Sequence, residues 1–213
     1  MTCAHCMEAA DFFGDRMARH ELKRFRRRGP TRSTRLLLDA LADEEVRDAR
    51  LLDIGGGVGA VQHVFLERGG AEVTGVDASP AYLAAAGAES ARRGTADRVR
   101  HLEGDAVELA AALPDADVVT LDRVLCCYPD MPALVDASAA RARRAWGVVF
   151  PRETWWVRAG VAAINLAQRL RRKAFRVYLH GPDRIEARAV GHGLRTDYRG
   201  RTLLWEVRVF RRG

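Results

Sequence analysis

The chain has 213 residues, 48% apolar and 30% charged, which is enough to bury a core in one domain and excludes a disordered or fibrous protein. Its net charge of +7 would ordinarily favour an anionic partner. The charge is uneven: Arg16 to Arg35 holds nine cations against Glu21 alone, and Arg141 to Arg176 holds ten against Glu153, a pattern that suits a solvated Arg-rich surface or contact with RNA or membrane headgroups.

The opening MTCAHCMEAADFF lacks the basic start and long apolar stretch of a secretory signal, and no apolar run reaches the ~18 residues of a membrane helix. Cys3/Cys6 and Cys126/Cys127 form two close pairs rather than a secreted disulfide framework, so a cytoplasmic location is expected. Residues 1–45 read as helices laid across the domain. From 49 to 54, ARLLDI predicts a strand ending at glycines, and apolar residues at helical spacing from Val58 to Leu66 predict a helix. AEVTGVD (71–77) is the next strand, followed by a helix opened by Ser79-Pro80. DRVRHLEGD (97–105) predicts a third strand and then a short helix. ADVVTLD (116–122), a helix from about Pro132 to Arg144, and AWGVVFP (145–151) complete five strands alternating with helices. That rhythm implies an α/β fold with a mostly parallel, doubly wound sheet.

After Pro151, WWVRAGVAAINLAQRLRRK predicts an extra helix of about four turns. Pro182 starts another helix closing around Gly191 to Gly193. LRTDYRGRTLLWEVRVF then reads as an antiparallel strand pair turning near Arg199-Gly200-Arg201, which brings the sheet to seven strands. The organisation expected is a single domain: 1–45 helical, 46–151 a ligand-binding core, 152–180 a cap, and 181–213 a helix and strand pair.

The chemistry begins at LLDIGGGVGA. Gly55, Gly57 and Gly59 end the first strand and open the first helix, where ligands collect in an open parallel sheet. Gly55, Gly57 and Ala60 satisfy a dinucleotide GxGxxA pattern with Asp77 about twenty residues on. Against that reading, Asp53 places a carboxylate where a pyrophosphate would be repelled, and Asp105 adds another at the same rim. Such a site suits a ligand with a cation, a diol and an amine.

With LDIGGGVG, GVDAS, EGDA and VVTLDRVLCCYPD in place, the chain resembles the class I S-adenosylmethionine-dependent methyltransferases over roughly residues 36–150, with further agreement at the C-terminal strand pair. The resemblance implies a Rossmann-like fold with a helical cap, S-adenosylmethionine as cofactor and a methyl acceptor as partner. It implies that Asp53 orients the amino end of the cofactor's methionine moiety, with the backbone of Gly55, Gly57 and Gly59 close by. Asp77 would accept from the ribose hydroxyls, Ala78 and Ser79 would flank the adenine, and Asp105 and the Ala106 amide would meet its amine and ring nitrogen. Taken singly, each aspartate also suits a helix cap or turn.

Asp122, Arg123, Cys127 and Tyr128 are expected to edge the transfer site, with Asp122 both near the cofactor and, like Tyr128, a candidate base. Cys126 and Cys127 read as small apolar packing residues or as soft ligands; two sulfurs are too few for structural zinc. Cys3, His5 and Cys6 could complete a metal site or hold a thiophilic, arsenic-like acceptor, but no metal is assigned. His180 is a further candidate base, whereas His63 and His101 suit satisfied structural roles and His192 a helix end. The segment from Trp155 to Lys173 suits a cap over an apolar or planar acceptor, an interfacial membrane helix or ordinary core. The reading favoured is methyl transfer to a small molecule; nucleic acid is not the expected partner. The alternatives are an RNA or protein methyltransferase using the basic flanks, a thiophilic-substrate methyltransferase using the cysteines, and a non-catalytic binder of cofactor, partner or dinucleotide.

Overall fold

In a computed structural model that describes residues 14–213, the described elements are α1 (Asp15–Arg28), α2 (Arg32–Asp39), α3 (Asp43–Val46), β1 (Arg50–Ile54), α4 (Ala60–Glu67), β2 (Glu72–Asp77), α5 (Pro80–Arg92), β3 (Val99–Glu103) and β4 (Ala116–Asp122). They continue with α6 (Met131–Ala139), β5 (Ala142–Pro151), α7 (Trp155–Leu170), α8 (Pro182–Gly191), β6 (Leu194–Arg201) and β7 (Trp205–Arg212). The sheet order is β3-β2-β1-β4-β5-β7-β6. The first five strands are parallel, and β7 runs antiparallel to both β5 and β6. Cys3, His5 and Cys6 lie outside the described residues, as does the start of the N-terminal helical segment.

Strand residues alternate between two cores, as a period of two requires. Leu52, Val119 and Val148 face one side with Trp146, α6 and α8. Leu51, Val118 and Val149 face the other, with Leu37 and Leu38 of α2 and Phe65 of α4. Each face of the sheet is thus covered, which is why β1 and β4 read as continuous apolar runs. Local signals set the helix starts: Thr31 accepts from the Thr34 amide at 3.3 Å, Ser79 from Tyr82 at 3.3 Å and Asp130 from Ala133 at 3.1 Å. Pro80, Pro132 and Pro182 occupy first turns, where the missing N–H costs nothing.

Three boundaries differ from the sequence expectation. The helix expected over 132–144 ends at Ala139, and β5 begins at Ala142 instead of Ala145. Ala142 pairs with Ala116, and its carbonyl accepts from the Arg212 guanidinium at 2.8 and 3.1 Å; sheet pairing takes these residues from the helix. The final turn falls at Thr202–Leu204, closed by Thr202 N–H to the Trp205 carbonyl at 2.8 Å. Gly200 instead lies within β6, where the Tyr198 side chain packs over it, a Cβ there falling 2.6 Å from the Tyr198 hydroxyl. The short helix expected after Asp105 is a single 3₁₀ turn, Ala110–Ala112.

Candidate active site

At the carboxyl ends of β1, β2 and β4 the chain encloses a cavity of about 620 Å³. Gly55 forms the turn after β1 with φ +65°, and a Cβ there would meet Val124 Cγ2 at 2.4 Å, so only glycine lets the loop sit this close to the β4 end. Gly57 and Gly59 also have positive φ, 56° and 78°. Gly57 borders the cavity, whereas Gly59 lies one step back as the N-cap of α4.

Four aspartates from separate elements meet this cavity. Asp53 is 1% exposed; it accepts from the Thr120 hydroxyl at 2.7 Å and from the Gln62 amide at 3.0 Å. Burial pushes its pKa up to about 7 against the pull of those two bonds, and the charges of Asp122 and Asp77 add to the rise. Asp77 accepts from the Gly57 amide at 2.9 Å and the Ser79 amide at 2.8 Å, and burial raises its pKa too. Asp122 accepts from the Thr34 hydroxyl at 2.6 Å and from Arg123 Nε at 3.3 Å. Asp105 accepts from the Tyr128 hydroxyl at 2.9 and 3.1 Å and from the Val107 amide at 2.8 Å. Asp53 and Asp122, with two such bonds each, keep acceptor sites to spare, since two carboxylate oxygens offer about four. Among the described residues no cation pairs with the buried Asp53, which favours a positively charged ligand there.

The structure brings Asp53, Gly55, Gly57, Asp77, Ala78, Ser79, Asp105, Ala106, Asp122, Cys127 and Tyr128 to one cavity. Ser79 is buried and serves as the N-cap of α5. His180 does not line it: Nε2 bonds the Tyr128 carbonyl at 3.0 Å, the ring stacks on Tyr178, and burial lowers its pKa. Its place is beneath the Tyr128 loop. The two cysteine sulfurs lie 3.8 Å apart and form no disulfide with each other. Cys126 is buried, and its thiol is raised by the neighbouring Cys127 sulfur and by burial. Cys127 is half-buried, and its thiol is lowered by the bond from Cys126, with Arg123 adding to the effect. Among the described residues no group of three or more His, Cys, Asp or Glu could hold a metal.

His63 departs from the satisfied role expected of it. It is buried against Phe25, with ring centroids 5.8 Å apart, and neither nitrogen makes a well-formed hydrogen bond among the described residues. Burial lowers its pKa to about 4, so it is neutral.

Sequence reasoning missed Thr34, Gln62, Thr120 and Glu21. Thr120 and Gln62 are polar residues inside apolar runs, VVTLD and AVQHVF, which is the available signal, because a buried polar side chain needs a partner. Glu21 is the single acid among nine cations; it lines the cavity and accepts from Tyr82 Oη at 2.7 Å. The opposite end of the cavity is apolar, formed by Trp156, Val157, Val161 and Ile164 of α7 with Phe175, Val177, Leu204 and Trp205.

Residues 52–145 match the family model described as a methyltransferase domain. No curated protein matches the chain in sequence. Among solved structures, it is similar to magnesium protoporphyrin IX methyltransferase from Synechocystis PCC 6803 with bound S-adenosylmethionine: TM-score 0.72, 16% identity, covering 100% of this chain and 99% of that one. It is also similar to an O-methyltransferase family 2 protein from Planctomyces limnophilus DSM 3776 in complex with apigenin, at TM-score 0.70 and 16% identity over 93% of this chain and 62% of that one. Geranyl diphosphate C-methyltransferase from Streptomyces coelicolor A3(2) superposes at TM-score 0.65 and 14% identity, over 84% and 77% of the two chains. The chain therefore carries a methyltransferase domain over residues 52–145, and its seven-stranded order β3-β2-β1-β4-β5-β7-β6 gives it the Rossmann-like α/β fold shared with these solved methyltransferases.

Proposed function

We propose that this enzyme methylates a small, apolar or planar molecule held between the β4 end and α7. The observation that carries the reading is the division of one cavity into a carboxylate-lined end at the glycine turn and an apolar end under α7. The solved relatives named above support it: one is a magnesium protoporphyrin IX methyltransferase, one a geranyl diphosphate C-methyltransferase, and one is complexed with apigenin.

The residues present fit the cofactor. The Gly55 turn leaves no room for a side chain, and Asp53, at about 7, is a carboxylate short of a cation. Asp53 would hold the cofactor's ammonium. Asp77, already held by backbone amides at the glycine turn, would accept from the ribose hydroxyls, and Asp105 with the Ala106 amide would hold the adenine edge. When bound, S-adenosylmethionine supplies an electrophilic methyl group on a sulfonium with a good leaving group. The protein therefore has three tasks: to align the acceptor, to exclude water and, where the acceptor carries a proton, to take it. Alignment falls to Trp156, Val161, Ile164 and Trp205, and Arg123, 5.9 Å over the Trp205 ring, fixes that indole. Proton acceptance falls to Asp122, which Thr34 orients at the cavity wall. Tyr128 is committed to Asp105 and serves to position it, and Cys127 shapes the wall between the two ends. His180 acts through the Tyr128 carbonyl and not as a base.

The test is a panel of planar and apolar acceptors incubated with methyl-labelled cofactor. Label transfer that falls at least about tenfold in Asp122→Asn, while cofactor affinity holds, supports the reading. Transfer to RNA or protein instead of small molecules would overturn it.

A further inference from the structure

Helix α7 is apolar around most of its circumference, yet only one side is covered. Val157, Val161 and Ile164 turn toward the cavity. On the opposite side, at helical spacing, Trp155, Leu166 and Leu170 are 76%, 56% and 77% exposed, and the exposed Ala159 and Ala162 continue the stripe between them. The β6–β7 tip stands at the Trp155 end of this helix. Arg152 donates its amide to the Leu204 carbonyl at 2.9 Å and its guanidinium to Thr202 O at 3.1 Å, while lying 5.9 Å over the Trp156 ring. That tip exposes Leu203, at 72%. A contiguous apolar face of this kind marks an interaction surface.

Charge decides what covers it. From Thr154 to Pro182 the sequence holds six cations, Arg158, Arg169, Arg171, Arg172, Lys173 and Arg176, and no acid; all but Arg176 are exposed. A second copy docked on this face would bring two such sets together, which like-charge repulsion opposes. RNA would meet the cations and leave the leucines in water. An anionic bilayer satisfies both: indole and leucines enter the acyl boundary while the arginines reach the headgroups. No described helix is long and apolar enough to cross a membrane, so the contact is with its surface. Helix α1, with exposed Arg16, Arg19, Lys23, Arg27 and Arg28, borders the same cavity through Glu21 and Arg24. The cavity is therefore flanked by two cationic helices.

We propose that the outer face of α7, together with the Leu203 tip, docks the protein on an anionic lipid surface. Docking places the apolar end of the cavity beside the bilayer, a direct source of an apolar acceptor; that consequence rests on the acceptor reading above, whereas the docking does not.

The test is co-sedimentation of the full chain with vesicles of phosphatidylcholine containing about one third phosphatidylglycerol, against pure phosphatidylcholine. The chain should partition onto the anionic vesicles with a blue shift of its tryptophan emission. The triple change Arg171→Gln, Arg172→Gln, Lys173→Gln should weaken partition about a hundredfold, at roughly fivefold per cation. Trp155→Ser with Leu166→Ser and Leu170→Ser should weaken it by at least about tenfold. These side chains are exposed, and circular dichroism of both variants should match the parent. Three results would overturn the proposal: no partition at low salt, equal partition on neutral vesicles, or a dimer by light scattering that the serine variant disperses.

Discussion

The two ends of the cavity are built to different standards of rigidity. At the carboxylate end each acid is fixed by a partner from another element: Asp53 by Thr120 and Gln62, Asp77 by the Gly57 amide and Asp122 by Thr34. At the apolar end α7 buries only Val157 and Gln168 among its sixteen residues. Its polar tie is Asn165, which exchanges two bonds with Val177 at 2.8 and 2.9 Å. The carboxylate end is thus preorganised, and the apolar end is a side-chain surface that can repack. Changes at the first should abolish binding, and changes at the second should redirect or slow the reaction.

The largest effect is expected from Asp77→Ala, which removes the two acceptor oxygens proposed to hold the ribose. Charge-assisted bonds contribute about 1.5–3 kcal/mol each, so S-adenosylhomocysteine affinity measured by calorimetry should fall at least about a hundredfold. Equal affinity in the variant and the parent would erase the distinction between the two ends.

Next in size is a pH effect at Asp53. Its folded pKa of about 7 stands above the ordinary 3.8, so its contribution to the stability of the cofactor-free chain is full below that ordinary value and is lost as pH rises through about 7. Affinity for a cationic cofactor runs the other way, because the ammonium selects the ionised carboxylate. Between pH 6 and 8 the affinity for S-adenosylmethionine should rise about tenfold. Asp53→Asn should flatten that profile and stabilise the cofactor-free chain at pH 8, as thermal melts would show. A slope that survives in Asp53→Asn would assign the titration elsewhere.

Smaller effects belong to the apolar end. Trp156→Ala removes an aromatic wall and should raise acceptor KM roughly fivefold, with cofactor affinity unchanged; a loss of cofactor affinity would mean that the two ends are coupled. Cys127→Ala should change turnover by only about twofold to threefold, since a half-buried small side chain is exchanged for another. A collapse of turnover would give the thiol a chemical role.

This contrast also explains what was legible in the sequence. The carboxylate end is written in short local strings, because a parallel strand delivers its last side chain to the sheet edge; Asp53, Asp77 and Asp122 each end or nearly end a strand, and Asp105 lies two residues beyond one. The residues that hold those acids were not legible, since Thr34 reaches Asp122 across 88 positions and Thr120 reaches Asp53 across 67. His180 illustrates the same limit. Its place in the chain allowed a base, whereas the fold turns its ring onto the Tyr128 carbonyl. The early end of α6 was hidden because Arg212, at the far end of the chain, helps draw Ala142 into the sheet. The apolar end draws on α7, the segment around Phe175–Val177 and the β6–β7 turn, so its shape follows from tertiary placement and not from a motif.

The most direct test of the central claim is a calorimetric titration of the purified chain at pH 8 with S-adenosylhomocysteine and, separately, with NADH. Saturable binding of the first and none of the second is the expected result. Binding of NADH, or no heat from either nucleoside, would contradict the assignment of the carboxylate end.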